Sequence, residues 1–169
     1  MEKFLTNYDF DTYIKKASHK VIKYSDLSNY SSLVDLFKKK KKDYRIMLIE
    51  TKPNVGHWVA ILKDGDTYEY FDSYGANPTA HLKTISSYIK KMLGMKPNDI
   101  NSLLSKVKHT HNKIKMQKME DGINTCGRHV IMRIKDFMEG GNLVDYQHKI
   151  ILGAKKQGMT PDEYIVSLT

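Results

Sequence analysis

Apolar residues run almost unbroken from Tyr44 to Glu50 and again from His57 to Leu62, a pattern that predicts two short strands buried on both faces. Thr67 to Tyr74 alternates instead. Tyr68, Tyr70, Asp72 and Tyr74 fall on one side and Glu69, Phe71 and Ser73 on the other, which predicts a third strand. Between the last two lies Lys63-Asp64-Gly65-Asp66, and Asp-Gly between apolar runs predicts a tight hairpin. Upstream, Leu27, Tyr30, Leu33, Val34 and Phe37 recur at helical spacing, so an amphipathic helix is expected ahead of the lysine run 38–42. Downstream the pattern turns mainly helical. Leu82, Ile85, Tyr88, Ile89, Met92 and Leu93 form one stripe, Pro97-Asn98-Asp99 opens a second helix, and Ile114 to Met119 reads as a short strand. Gly127 to Glu139 reads as a helix with Val130, Ile134 and Phe137 on one face and a stop at Gly140-Gly141. Two short helices follow from Leu143, the later opening at Thr160-Pro161-Asp162-Glu163. Strands followed by helices predict an α+β fold, with a central mixed or antiparallel β-sheet flanked by helices.

At 169 residues the chain fits a single domain. Its expected parts are an N-terminal helical part (1–42), a core (43–140) and C-terminal helices (141–169). Hydrophobic residues at 40% against 28% charged exclude wholesale disorder. No apolar run approaches the roughly 20 residues that a membrane helix needs. The start, Met1-Glu2-Lys3-Phe4-Leu5, lacks the basic-then-apolar order of a signal peptide. One cysteine excludes an internal disulfide and a cysteine-rich zinc site, so an intracellular, reducing setting is expected. The net charge of +9 invites a polyanionic partner. Lys38, Lys39, Lys40, Lys41 and Lys42 are the densest candidate for a nucleic-acid contact, against the plainer reading of a solvated helix end.

The hairpin carries a chemical consequence. With Asp64-Gly65 as the loop, Lys63 opposes Asp66, and the register runs on to set His57 directly opposite Asp72. Opposed Cβ atoms lie roughly 5 Å apart. An imidazole and a carboxylate at that distance hydrogen-bond, which fixes the ring's tautomer and orientation. The lone cysteine, Cys126, stands just before the helix that opens near Gly127. Helix N–H groups and the positive end of the dipole favour a thiolate there, and a neighbouring imidazolium favours it further. Gly127 leaves room for a ligand backbone to approach. Cys126, His57 and Asp72 would supply nucleophile, base and orienting acid for acyl transfer.

Gly56-His57-Trp58, Phe71-Asp72-Ser73-Tyr74-Gly75 and Asn124-Thr125-Cys126-Gly127, in that order, resemble the adenain/Ulp-type cysteine proteases. That clan includes the adenovirus maturation protease, SUMO-specific proteases, and maturation proteases of virophages, Polinton-like elements and large DNA viruses. The resemblance spans about Tyr44 to Phe137, and the His, acid, Cys order is the reverse of papain. It implies the adenain-like fold and a cysteine endopeptidase that cleaves after small residues (Gly-Gly or Gly-X). The implied substrates are viral capsid or other structural precursors, and a virophage enzyme is the expected kind. It also implies an oxyanion-hole glutamine upstream of the cysteine, for which Gln117 is the candidate. Gln117 lies nine positions before Cys126, further than is usual in the family, so Glu120-Asp121-Gly122 would have to loop out. Trp58, Asn124 and Gly127 are the candidate substrate-binding residues. No cofactor is required for the chemistry, and viral DNA is a candidate activator. Covalent activation through a second cysteine, as in the adenovirus relative, is ruled out. A monomer is the expected state, in the virion and in the host cytoplasm or viral factory.

Other readings use the same residues. A deubiquitinase, a deSUMOylase or an acetyltransferase of the Yersinia-effector type would keep the fold and triad and change the acceptor. A non-enzymatic nucleic-acid-binding module would use the charge, the lysines and the tyrosines, although the aromatics do not interleave with the basic residues. A zinc site from His109, His111, Cys126 and His129 would leave the His57–Asp72 pairing unexplained. The expected metal content is none.

Overall fold

Five strands form one mixed sheet, in the order β1-β2-β3-β4-β5, in the computed structural model, which describes residues 3–169. They are β1 (Val21–Lys23), β2 (Lys42–Lys52), β3 (Val55–Asp64), β4 (Thr67–Phe71) and β5 (Lys108–His111). β2, β3 and β4 pair antiparallel, whereas β1 runs parallel to β2 and β5 parallel to β4. The fold is therefore α+β with a mixed sheet, as the order of elements predicts. β1 adds a strand to the segment expected to be helical.

Both faces of the sheet are covered. Ile46, Leu48, Trp58, Ala60, Leu62 and Phe71 pack against Cys126, Val130, Ile131, Ile134 and Phe137 of a long helix, and against the C-terminal helices and Phe10. Met47, Ile49, Val59, Ile61, Tyr68 and Tyr70 point the other way, against Leu33, Leu36 and Phe37 and against Ile100, Leu103 and Leu104. Two covered faces are the reason β2 and β3 read as continuous apolar runs rather than alternating ones.

The helices are α1 (Phe10–Tyr13), α2 (Leu33–Phe37), α3 (Ser87–Met92), α4 (Asp99–Ser105), α5 (Cys126–Met138), α6 (Leu143–Lys156) and α7 (Pro161–Leu168). α5, α6 and α7 lie where the sequence predicts them. α7 has the expected capping box, with Thr160 and Glu163 bonding reciprocally. The helix expected over 27–37 is instead split into a 3₁₀ stretch, Tyr24–Asn29, and α2. Ser31 and Ser32 intervene, and the Ser32 hydroxyl accepts from the Asp35 N–H. The stripe from Leu82 to Leu93 breaks in the same way. Ser86 caps α3 and leaves Tyr88 and Met92 exposed.

The short strand expected at 114–119 is an irregular segment, and the strand β5 lies just before it, at Lys108–His111. β5 is an edge strand with exposed polar side chains, so it has no apolar signature. Met116 and Gln117 both donate their N–H groups to the Ser73 carbonyl instead of entering a ladder.

The hairpin register also differs from the prediction. Asp64 pairs with Thr67 and Ala60 with Phe71, so the loop is Gly65-Asp66 rather than Asp64-Gly65. Gly65 carries a φ of +60° and Asp66 no positive φ, the pattern of a type II′ turn with glycine first. The slip is two residues, so every side chain keeps its predicted face.

α5 is fastened to the sheet by one buried ion pair. Arg133 donates from Nε and Nη2 to both carboxylate oxygens of Glu69, each at 2.9 Å, and from Nη1 to Asp136 at 2.7 Å.

Candidate active site

β3 delivers His57 to the end of the sheet, on the face shared by Val59 and Ile61. Its Nε2 lies 2.7 Å from Oδ1 of Asp72, one residue beyond the end of β4. Asp72 is held from several sides. Its Oδ1 accepts the Tyr74 N–H at 2.9 Å, its own N–H donates to Asn112 Oδ1 at 2.8 Å, and the Asn112 amide donates back to its carbonyl. The Tyr74 ring stacks on the imidazole at 4.4 Å, and the His81 ring lies 4.8 Å from it. Gly75, at φ +66°, turns the chain sharply here. A Cβ on it would meet the Ile114 carbonyl at 2.7 Å, so this turn and the segment carrying Gln117 can close together only with glycine between them.

Cys126 is the first residue of α5 and is buried. Thr125 occupies the N-cap position but makes no side-chain cap; its hydroxyl donates to Asp162 instead. No side-chain cap therefore competes for the first-turn N–H groups of α5, which favour an anion at this end. Cys126 hydrogen-bonds the His57 ring. Burial works against a charge on His57, but the hydrogen bonds and charges of Asp72 and Cys126 prevail and raise its pKa to about 10. The ring is therefore an imidazolium at neutral pH. Burial, together with the charge on His57, lowers the pKa of His81 to about 4, so that ring is neutral.

His57, Tyr74, His81, Gln117, Asn124 and Cys126 line one open cavity of about 320 Å³, with Glu120, Asp121 and Gly122 on its rim. Gln117 is almost wholly buried. Its Oε1 accepts the Ser73 hydroxyl at 2.6 Å, and its Nε2 reaches the Ile123 carbonyl at 3.4 Å. Residues 120–123 form the loop that the long spacing to Cys126 requires, closed by the Ile123 N–H on the Glu120 carbonyl.

Two candidate substrate-binding residues lie elsewhere. Strand alternation turns Trp58 to the opposite face, where it packs edge-on against Phe10 and donates from its indole to the Leu5 carbonyl at 3.0 Å. Gly127 does leave space, but Leu5 fills it: a Cβ there would stand 2.8 Å from Leu5 Cδ1. Phe4, next in the chain, reaches the cavity wall.

The zinc set is not assembled. His109 and His111 are on β5, His129 faces Asp162 at 3.2 Å, and no metal-sized cluster of three donors exists among the described residues. Lys38 to Lys41 are exposed, and Lys42 lies over the Phe137 ring at 4.8 Å. The Gly65 N–H donates to the Lys41 carbonyl, which ties the run to the hairpin turn. At about 3.3 Å per residue along β3, that end lies roughly 20 Å from His57.

The pattern reading missed His81 and Asn112. Neither sits in a motif: His81 opens a 3₁₀ turn after an irregular stretch, and Asn112 follows an edge strand without a periodic signature.

No family model matches the chain. Over 168 residues, 98% of this chain and 93% of the relative, it is 26% identical to Uncharacterized protein V9 of Sputnik virophage. Among solved structures it is similar to an ASFV protease, with a TM-score of 0.49 and 18% identity over 86% of this chain. The chain spans 61% of that protein's length. It is also similar to the SUMO protease Ulp1, with a TM-score of 0.47 and 17% identity, covering 84% of this chain and 69% of that one.

Proposed function

We propose that this chain is a single-domain cysteine endopeptidase that processes viral structural precursors. Cys126 attacks the scissile carbonyl carbon as a thiolate. The imidazolium of His57 gives its proton to the leaving amine, then takes one from the water that releases the acyl-enzyme. Asp72 holds the ring in position throughout. The Gln117 amide and the Cys126 N–H receive the oxyanion. No metal or organic cofactor enters these steps.

One observation carries the reading: a cysteine at a helix start and a histidine line one cavity, and a buried aspartate is bonded to that histidine. A charge relationship of this kind is costly to bury without a use. The likeness to a virophage protein along nearly the whole chain supports a viral setting, with the enzyme in the virion and the infected cell. The resemblance of the three motifs supports capsid precursors as substrates and cleavage after glycine. Asn124 lines the cavity and is the proposed contact for the substrate backbone.

Co-expression with candidate capsid precursors, read by intact mass, tests the reading. Wild-type chain should release defined fragments and Cys126→Ala none. Cleavage that survives in Cys126→Ala would remove the mechanism. A diglycine-tailed ubiquitin or SUMO probe that is cleaved while the precursors are not would move the substrate class. Viral DNA is the proposed activator, through Lys38 to Lys41. Added duplex should raise turnover at low salt and lose its effect at high salt, and a turnover that ignores duplex at both would reduce the lysines to a solvated face.

A further inference from the structure

Asp162 stands outside the triad, on the first turn of α7, yet its carboxylate is directed away from its own helix. Oδ2 accepts the backbone N–H of Lys118 at 2.9 Å, and Oδ1 accepts the hydroxyl of Thr125. Oδ1 also lies 3.2 Å from Nε2 of His129, one helical turn beyond Cys126. Asp162 is buried, and all three partners are buried or belong to backbone. Lys118 is the residue after Gln117, and Thr125 is the residue before Cys126. One carboxylate therefore clasps the two ends of the 118–125 segment whose outer part loops over the cavity rim.

We propose that Asp162 is a positioning residue for the oxyanion site, setting the separation between the Gln117 amide and the Cys126 N–H. The inference rests on the protease reading. Both donors must lie within hydrogen-bond distance of one oxygen that exists only after attack, so an error of an ångström in their spacing removes much of their effect. The two donors come from different elements, an irregular segment and a helix start. No backbone ladder joins these two elements. Thr125 gives up its capping role to make the clasp, and Asp162 sits at the helix N-terminus, where the dipole favours its charge.

The test separates oxyanion support from simple glue. Hydrolysis of an internally quenched peptide centred on Gly-Gly passes through an oxyanion; alkylation of Cys126 by iodoacetamide displaces iodide and does not. Asp162→Ala and Thr125→Val should lower kcat by about 10- to 100-fold, a part of the loss from removing a donor outright. KM and the alkylation rate should stay near the wild-type values. Asp162→Asn turns an amide N–H₂ toward either Lys118 or Thr125 and should lose kcat in the same way, which keeps the test open if the alanine variant fails to fold. Glu163→Gln, in the capping box of the same helix, should lower the melting temperature and leave kcat unchanged. Unaltered kcat in the Asp162 variants, or equal losses in hydrolysis and alkylation, would overturn the inference. Wild-type chain that hydrolyses no such peptide would overturn the protease reading and this inference with it, and is recognised by its appearance without any substitution.

Discussion

His57 and Asp72 meet beyond the end of the β3–β4 ladder, whose last pair is Ala60 with Phe71: Asp72 Oδ1 lies 2.7 Å from the ring's Nε2, and the Tyr74 ring stacks on the imidazole. The ring has Tyr74 stacked on it and His81 tilted beside it, with Cys126 near enough to act on its charge.

Asp72→Asn tests this relationship by activity and by pH. The substitution keeps the shape and removes the negative charge that raises the imidazolium's pKa. Turnover should fall steeply, toward the roughly 10⁴-fold loss that follows when the orienting acid of a serine triad becomes an amide. The proton on His57 is needed for amine departure. The alkaline fall of wild-type activity should therefore come only near pH 10, and in the variant at lower pH. A pH–rate profile of kcat/KM reads both effects.

Gln117→Ala should lower kcat by about 100- to 1,000-fold, with alkylation of Cys126 preserved. Ser73→Ala should cost less, because it frees the amide to rotate without removing it. Parallel kinetics on the two variants would rank them.

Glu69→Gln should destabilise the fold by about 3–5 kcal/mol, since it leaves the buried Arg133 guanidinium partly uncompensated. Chemical denaturation measures the loss. Because Arg133 fastens the helix that carries Cys126, the variant should lose activity as it unfolds and regain it on cooling.

His81 makes the fold sensitive to acid. Its pKa is about 4 in the folded chain and near the ordinary 6.5 when unfolded, so between those values the unfolded state binds more protons. The stability this neutral ring contributes is complete above about pH 6.5 and is lost as pH falls toward 4. Thermal melts of His81→Phe across that window should show a flatter profile than the wild type.

Much of this could be read along the chain. The apolar runs of β2 and β3, the face of α5 and the capping box of α7 all announce themselves, because each depends on neighbours one helical turn or one pleat away. His57 and Asp72 were legible as same-face partners even though the turn slipped by two residues, since an even shift preserves the face. The opposite face of Trp58 follows from alternation, but its burial against Phe10 and Leu5 does not, and neither does the position of Gly127 under Leu5, a residue distant in sequence. β5 was hidden because an exposed edge strand has no alternation to show.

The amino-acid order alone determined the class of fold, the faces of the strands, and the three residue types able to carry acyl transfer. Tertiary structure alone decided that Tyr74 and His81 pack on the imidazole, that Asn112 braces Asp72, and that Asp162 bonds both Lys118 and Thr125. Periodicity reports only on contacts within an element. These contacts join segments whose separation along the chain follows no period, and they exist only once both faces of the sheet are covered.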